Sequence, residues 1–254
     1  MSIQKPQNFI SRIRRNPDEF LIVHYSCQSL FDDAPGLSPR ITSIAVTHYG
    51  NAQTFSFSTH AIAEELHIAK PDVHNRFDEI ERELLERFYQ FAQQYRGKYW
   101  VHWNMRNLTF GFEHLEHRAR VLGINNPPVV PPEQRLNLND ILRRKYGKDY
   151  ANHPQMPNLM DLNGGRPKDF LTGVEETQAF ANQEFIAMHQ STLAKVGFFG
   201  SIVRKVLKGS LIAVSPNIGA VIDRVYEARW VKVLGLAGIV TAIPLGVVSL
   251  LLGT

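Results

Sequence analysis

The run Phe20-Leu21-Ile22-Val23 ends abruptly in polar side chains, His24 and Ser26. A buried strand that stops this way usually delivers those side chains to a site. A second short apolar run closes on Val101-His102-Trp103-Asn104-Met105-Arg106-Asn107, which offers His102, Asn104 and Asn107. Asp140, Glu184 and Lys195 are the charged candidates further along. The chemistry open to such a set is narrow. Clustered carboxylates would hold divalent metal. Trp103, with Tyr99, Trp100 and Phe110 nearby in the sequence, offers a face on which a nucleobase could stack, although a core between strand and helix uses aromatics in the same way.

Other constellations carry less. His114-x-x-His117, flanked by Glu113 and Glu116, has metal-capable spacing but no evident partner, and no metal site is assigned. Asp32-Asp33 reads as a solvated turn or as substitute carboxylates. Cys27 is the single cysteine, which excludes an intramolecular disulfide and a cysteine zinc cluster. The sequence contains no Gly-x-Ser-x-Gly elbow and no phosphate-binding glycine loop.

These residues need elements to position them. Three strands are expected over residues 20–58, the second and third joined through Tyr49-Gly50-Asn51. Phe77, Ile80, Leu84, Leu85, Phe88 and Phe91 recur at helical spacing, with Glu81 and its acidic neighbours on a solvated face and Gly97 closing the helix. A fourth strand over 98–102 follows, then a helix over 107–122 and an extended proline-rich connection. Leu136 to Tyr146 reads as a short strand entering a helix capped by Asn139 or Asp140. Residues 152–167 read as a loop, and 170–208 as helix broken near Asn182 and again at 197–200.

The two ends differ in character. Residues 1–17 read as a polar arm. From Val233 to Thr254 the chain carries no charged side chain, a length suited to a bilayer core, so 230–254 is expected to be a single-pass transmembrane helix with Trp230 at the interface. Pro244 keeps a buried hairpin or core helix as the alternative. Basic residues ahead of the run, Arg224, Arg229 and Lys232, place the N-terminal body on the cytoplasmic side. Residues 209–229 are left as an amphipathic or membrane-proximal linker, part of which, 210–222, could also enter the membrane. The net charge of +4 is compatible with nucleic acid or an anionic membrane, and decides between neither.

Over roughly residues 18–206 the order of elements resembles the ribonuclease-H-like 3′-5′ exonuclease (DEDD) superfamily. The resemblance rests on Val23-His24-Tyr25-Ser26-Cys27-Gln28, on Val101-His102-Trp103-Asn104-Met105-Arg106-Asn107, and on Ser191-Thr192-Leu193-Ala194-Lys195-Val196 preceded by Gly173-Val174-Glu175-Glu176. A second register for the last motif uses Glu184. The resemblance implies an α/β fold, a mixed sheet flanked by helices. It also implies four carboxylates holding two Mg or Mn ions for phosphodiester cleavage. At those positions this chain has His24, Ser26, Asn107 and either Lys195 or Glu184, so the resemblance implies a neutral-to-positive pocket in which Lys195, His24 and Asn107 would grip a phosphate directly, without metal. The expected function is therefore a membrane-anchored, catalytically inactive exonuclease-like protein that needs no cofactor and binds nucleic acid or a nucleotide, as a sensor in antiviral defence or stress response. Two alternatives stand beside it. One is a divergent metal-dependent nuclease using Asp32, Asp33, Asp140 or Glu184 with His24 or His102. The other is a structural membrane adaptor that forms homo-oligomers.

Overall fold

A computed structural model of the protein describes residues 2–29, 38–106 and 109–214. The region is α/β: five strands form one mixed sheet with helices on both faces. The strands are β1 (Phe20–Cys27), β2 (Ile41–His48), β3 (Thr54–Ser58), β4 (Tyr99–His102) and β5 (Arg135–Asn137), in the order β3-β2-β1-β4-β5. β2 and β3 are antiparallel neighbours of the meander begun by β1, while β4 and β5 run parallel to β1. The chain reaches β4 through a crossover helix, as a parallel partner requires.

β1 is central and every one of its eight residues is buried, which explains why it reads as a continuous apolar run. Alternation along the strand sends neighbours to opposite faces. Leu21, Val23, Tyr25 and Cys27 enter one core, with α3 (Phe77–Gln94) and α4 (Phe112–Val121). Phe20 and Ile22 enter the other, with α1 (Pro6–Arg15), α5 (Leu138–Tyr146), α6 (Gln155–Leu162) and most of α8 (Phe185–Lys208). The parallel register Leu21↔Trp100 and Ile22↔Val101 carries the same parity into β4. α2 (Thr59–Glu65) and α7 (Gly173–Ala181) complete the set.

Several elements differ from expectation. The first 17 residues are not a free arm: α1 buries Phe9, Ile10 and Ile13 against the sheet, a stripe with its cations outside. Its apolar residues are few, so composition hides it and only spacing reveals it. Within 152–167, α6 forms despite the prolines, because Pro154 precedes its first turn and Pro157 lies inside that turn, where an amide hydrogen has no helical acceptor. α8 runs unbroken through Gly197 and Gly200. A Cβ on Gly200 would lie 3.5 Å from Ile22 Cδ1, so this glycine sits where helix and sheet pack closely. The break at Asn182 does occur, between α7 and α8. The described part of the helix expected from 107 begins at Phe112, and α5 is capped by Asn137, whose side chain accepts from Asn139 N.

The acidic face assigned to α3 also needs correction at one position. Glu81 is fully buried and receives two hydrogen bonds from Arg118 of α4, at 2.8 and 2.5 Å, plus one from Ile41 N. Burial pushes the Glu81 carboxyl up, against the pull of Arg118. The pair locks α3 to α4 at the start of β2. Among the described residues no helix is long and apolar enough to cross a membrane. The expected membrane segment 230–254 lies outside the described residues, as does the part of the linker from 215 to 229.

Candidate functional site

The parallel strands β1, β4 and β5 end on one side of the sheet, where open α/β sheets tend to place their ligands. A cavity of about 400 Å³ lies there, a size usual for a small-molecule site. His24, Trp103, Asn104, Phe110, Phe170, Glu176 and Lys195 line it, with Pro154, Met156 and Val174 adding apolar wall.

Strand parity explains why His24 and Ser26 share the site. Both project to the face covered by α8, two residues apart. Ser26 is completely buried, and its hydroxyl lies 2.7 Å from Glu176 Oε1 and 2.7 Å from Thr192 Oγ1. Glu176 Oε1 also accepts from Lys195 Nζ at 2.7 Å and from Ser191 Oγ at 3.2 Å. The chain of hydroxyls continues to Ser43 of β2, 2.5 Å from Thr192. Lys195 and Glu176 are buried, with side chains 5% and 3% exposed, so they form an ion pair with little solvent screening. The Lys195 ammonium also sits 5.3 Å from the centre of the Phe170 ring.

Local sequence places Glu176. Thr172 caps α7 and exchanges hydrogen bonds with Glu175, which fixes Glu175 at the third helical position, facing solvent. The next residue, a helical step of about 100° further on, turns inward to β1 and α8. Glu176 was not a candidate from sequence, although two adjacent glutamates behind a capping threonine predict one outward and one inward.

His24 is buried between the rings of Phe110 and Phe199 in T-shaped contacts, centroids 5.7 and 5.5 Å away, and its Nδ1 has no hydrogen-bond partner among the described residues. Burial first, then the charge of Lys195, hold its pKa well below the usual imidazole value, so it is neutral near pH 7. Trp103 stacks on Phe199 at 5.6 Å and presents its ring to the same cavity.

Asn104 sits at the edge of this cavity but belongs to another network. Its φ of 54° is left-handed, a conformation asparagine tolerates better than most residues. Asn137 and Asn139 donate to its side-chain oxygen, at 3.2 and 3.0 Å, and Asn104 N donates to Asn137 Oδ1 at 3.1 Å. Asp140 joins through Asn137, and both its oxygens are held by Arg106 at 3.0 and 2.9 Å. These bonds stitch together the ends of β4 and β5.

The other candidates are elsewhere. His102 projects to the opposite face of the sheet from His24, beside Phe112, and accepts from Met105 N at 3.1 Å. Burial pushes its pKa down to about 3. Glu184 is exposed at the start of α8 and lines a different cavity with Phe185 and Lys70, so it does not join His24 and Ser26. Of the two registers, it is Lys195 that reaches the end of β1. His114 is tied to Pro39 O at 2.8 Å, a structural role. Cys27 is buried, which raises its pKa and suppresses the thiolate. Asn107, Asp32 and Asp33 lie outside the described residues. No cluster of three or more metal-ligating side chains occurs among the described residues.

The arrangement has a definite electrostatic character. Glu176 is matched by Lys195 and Asp140 by Arg106, while His24 is neutral. A ligand entering the cavity meets aromatic and apolar walls above a charge-neutral polar floor. Compared with known proteins, the chain matches no protein-family model, no curated protein and no solved structure.

Proposed function

We propose that the protein is a ribonuclease-H-like, exonuclease-type domain whose cleft binds a nucleotide, or an unpaired base of a nucleic acid strand, without cleaving it. The observation that carries this reading is the 2.7 Å bond between Lys195 Nζ and Glu176 Oε1 at the end of β1. Two-metal cleavage needs several carboxylates with uncompensated negative charge. Here the carboxylate nearest Ser26 already holds a buried ammonium, and a divalent cation beside it would be repelled.

The strand order, an antiparallel meander continued by two parallel strands, supports a ribonuclease-H-like scaffold. The aromatic residues Trp103, Phe110 and Phe170 on the cavity wall support stacking of a flat base. Lys195 is spent on Glu176, so affinity in this reading comes chiefly from the base. In the same reading the 230–254 segment anchors the protein in a membrane with its body on the cytoplasmic side, where it would serve as a sensor in defence or stress response.

Fluorescence anisotropy of a labelled single-stranded oligonucleotide at low salt tests the cleft. Binding should persist in EDTA, and no nucleotide should be released with Mg or Mn. Absence of affinity would remove the binding reading. Metal-dependent shortening of the strand that disappears in E176Q would replace it with an active nuclease.

A further inference from the structure

The layer formed by α1, α5 and α8 has a charge pattern that the cleft does not use. α1 carries Arg12, Arg14 and Arg15 and no acid, and α8, apart from Lys195 buried on Glu176, carries Arg204, Lys205 and Lys208 and no acid along 24 residues. The basic residues of α5, Arg143, Arg144 and Lys145, all fall in its last turn, and its one acid, Asp140, is held by Arg106. The layer on the other face of the sheet is different: α3 carries more acids than cations and α2 ends in Glu64-Glu65.

Two hydrogen bonds fix the cations of the first layer relative to one another. Arg14 Nη2 donates to Leu207 O at 2.7 Å, which brings it beside Lys205 and Lys208 in the last turn of α8. Arg144 Nη1 donates to Gln4 O at 2.7 Å, beside Lys5 at the other end of α1. A helix of ten residues spans about 15 Å, so the cations form a strip of that length. Basic residues in a last turn complement the helix dipole. The guanidiniums of Arg14 and Arg144 bond neutral carbonyls, so their charge stays uncompensated, whereas Arg12 is paired with Glu19. Arg14, Arg143, Arg204 and Lys208 are exposed and have no acidic partner among the described residues.

The path of the chain points to what this strip faces. After α8 the backbone turns back across the same layer: Ile212 N donates to Asn163 Oδ1 at 3.0 Å, beyond the end of α6, and Val214 N to Tyr150 O at 3.0 Å, beyond the end of α5. Ile212 and Val214 are exposed apolar residues at that point. The charge-free run from Val233 follows in sequence. We infer that the α1/α5/α8 layer is a docking face for an anionic lipid bilayer, which phospholipid headgroups engage through Arg14, Arg143, Arg144, Arg204, Lys205 and Lys208. This rests on the membrane part of the reading above and is independent of the cleft's ligand.

The test uses the full-length chain with vesicles of phosphatidylcholine alone and of phosphatidylcholine mixed with phosphatidylserine, followed by amide hydrogen exchange. Protection of α1 and the last turns of α8 should appear with phosphatidylserine and be removed by high salt, while exposed amides of α2 and α3 stay unchanged. Each cation near an anionic surface contributes about fivefold in affinity, so R204Q/K205Q/K208Q should weaken the phosphatidylserine-dependent component roughly a hundredfold. Those side chains make no side-chain hydrogen bond among the described residues, and an unchanged circular dichroism spectrum checks that the variant is folded.

Association with phosphatidylcholine vesicles in high salt reports the anchor separately. If it is absent while serine-dependent protection remains, the anchor fails and the docking face stands. Equal protection of both layers, or none that depends on phosphatidylserine, overturns the docking face. So does an oligonucleotide that protects the same turns and displaces the vesicles, because the strip would then be a nucleic-acid surface.

Discussion

Replacing Lys195 with Met removes the ammonium and leaves its stem volume nearly intact. At the observed 2.7 Å and an effective dielectric of about 20, the attraction between Lys195 and Glu176 is about 6 kcal/mol before the hydration given up is subtracted. Both side chains are almost wholly buried, so solvent returns little to whichever charge is stranded. Breaking such a pair from one side costs about 3–5 kcal/mol. E176Q should cost a similar amount by stranding the ammonium. In K195M/E176L no charge is left inside. Ser26 keeps Thr192 as a partner, so the remaining loss is that of unmade hydroxyl bonds, about 1–3 kcal/mol.

The double variant should therefore be more stable than the sum of the singles by at least about 3 kcal/mol, a coupling that a double-mutant cycle measures directly. Urea unfolding of the full-length chain in mild detergent, followed by tryptophan fluorescence, is the assay. A loss below about 1 kcal/mol in K195M alone would refute the reasoning. It would mean that Lys195 is solvated and free to meet a phosphate, and the electrostatically closed floor of the cleft would go with it.

His102 has a folded pKa of about 3, below the unfolded imidazole value, so the unfolded chain binds the extra proton first. Its stabilising effect is complete above about pH 6.5 and is lost as pH falls from there towards 3, about 2 kcal/mol by pH 5, and H102Q should flatten that slope in unfolding experiments. His189, lowered to about 4 but partly exposed, should add a smaller loss in the same direction, measured as the difference in slope for H189Q. R118M strands the buried Glu81 carboxylate and should cost about 3–5 kcal/mol in the same urea assay, most of it recovered in R118M/E81L. F170A removes a ring from the cleft wall and should weaken oligonucleotide binding about tenfold by anisotropy, with unfolding little changed because Phe170 is only partly buried.

The sheet was legible in the sequence because its signals are local. Phe20 to Val23 is apolar since β1 is covered on both faces, Gly50-Asn51 sits in the turn between β2 and β3, and Gly97, with a φ of 85°, stands between α3 and β4. The departures involve properties that only packing decides. Glu81, at helical spacing from Phe77, Leu84 and Phe88, shares their buried face as Glu83 does not, but its partner Arg118, 37 residues away, is a matter of packing. Gly200 resembles a helix breaker until Ile22 is seen beneath it. Lys195 could be aligned to the end of β1 from a motif, but its partner could not. Glu176 becomes visible only once the Thr172 cap fixes which face of α7 turns inward.

The closed charge in the cleft also bears on how this chain can change over generations. A single substitution at either Lys195 or Glu176 leaves a buried ion and lowers stability by an amount comparable with much of a domain's whole margin. Variants that pass through one unmatched charge would be removed by selection before a second change could rescue them. The two positions are therefore inherited as one character, and any change in the charge of the cleft floor requires both to move together.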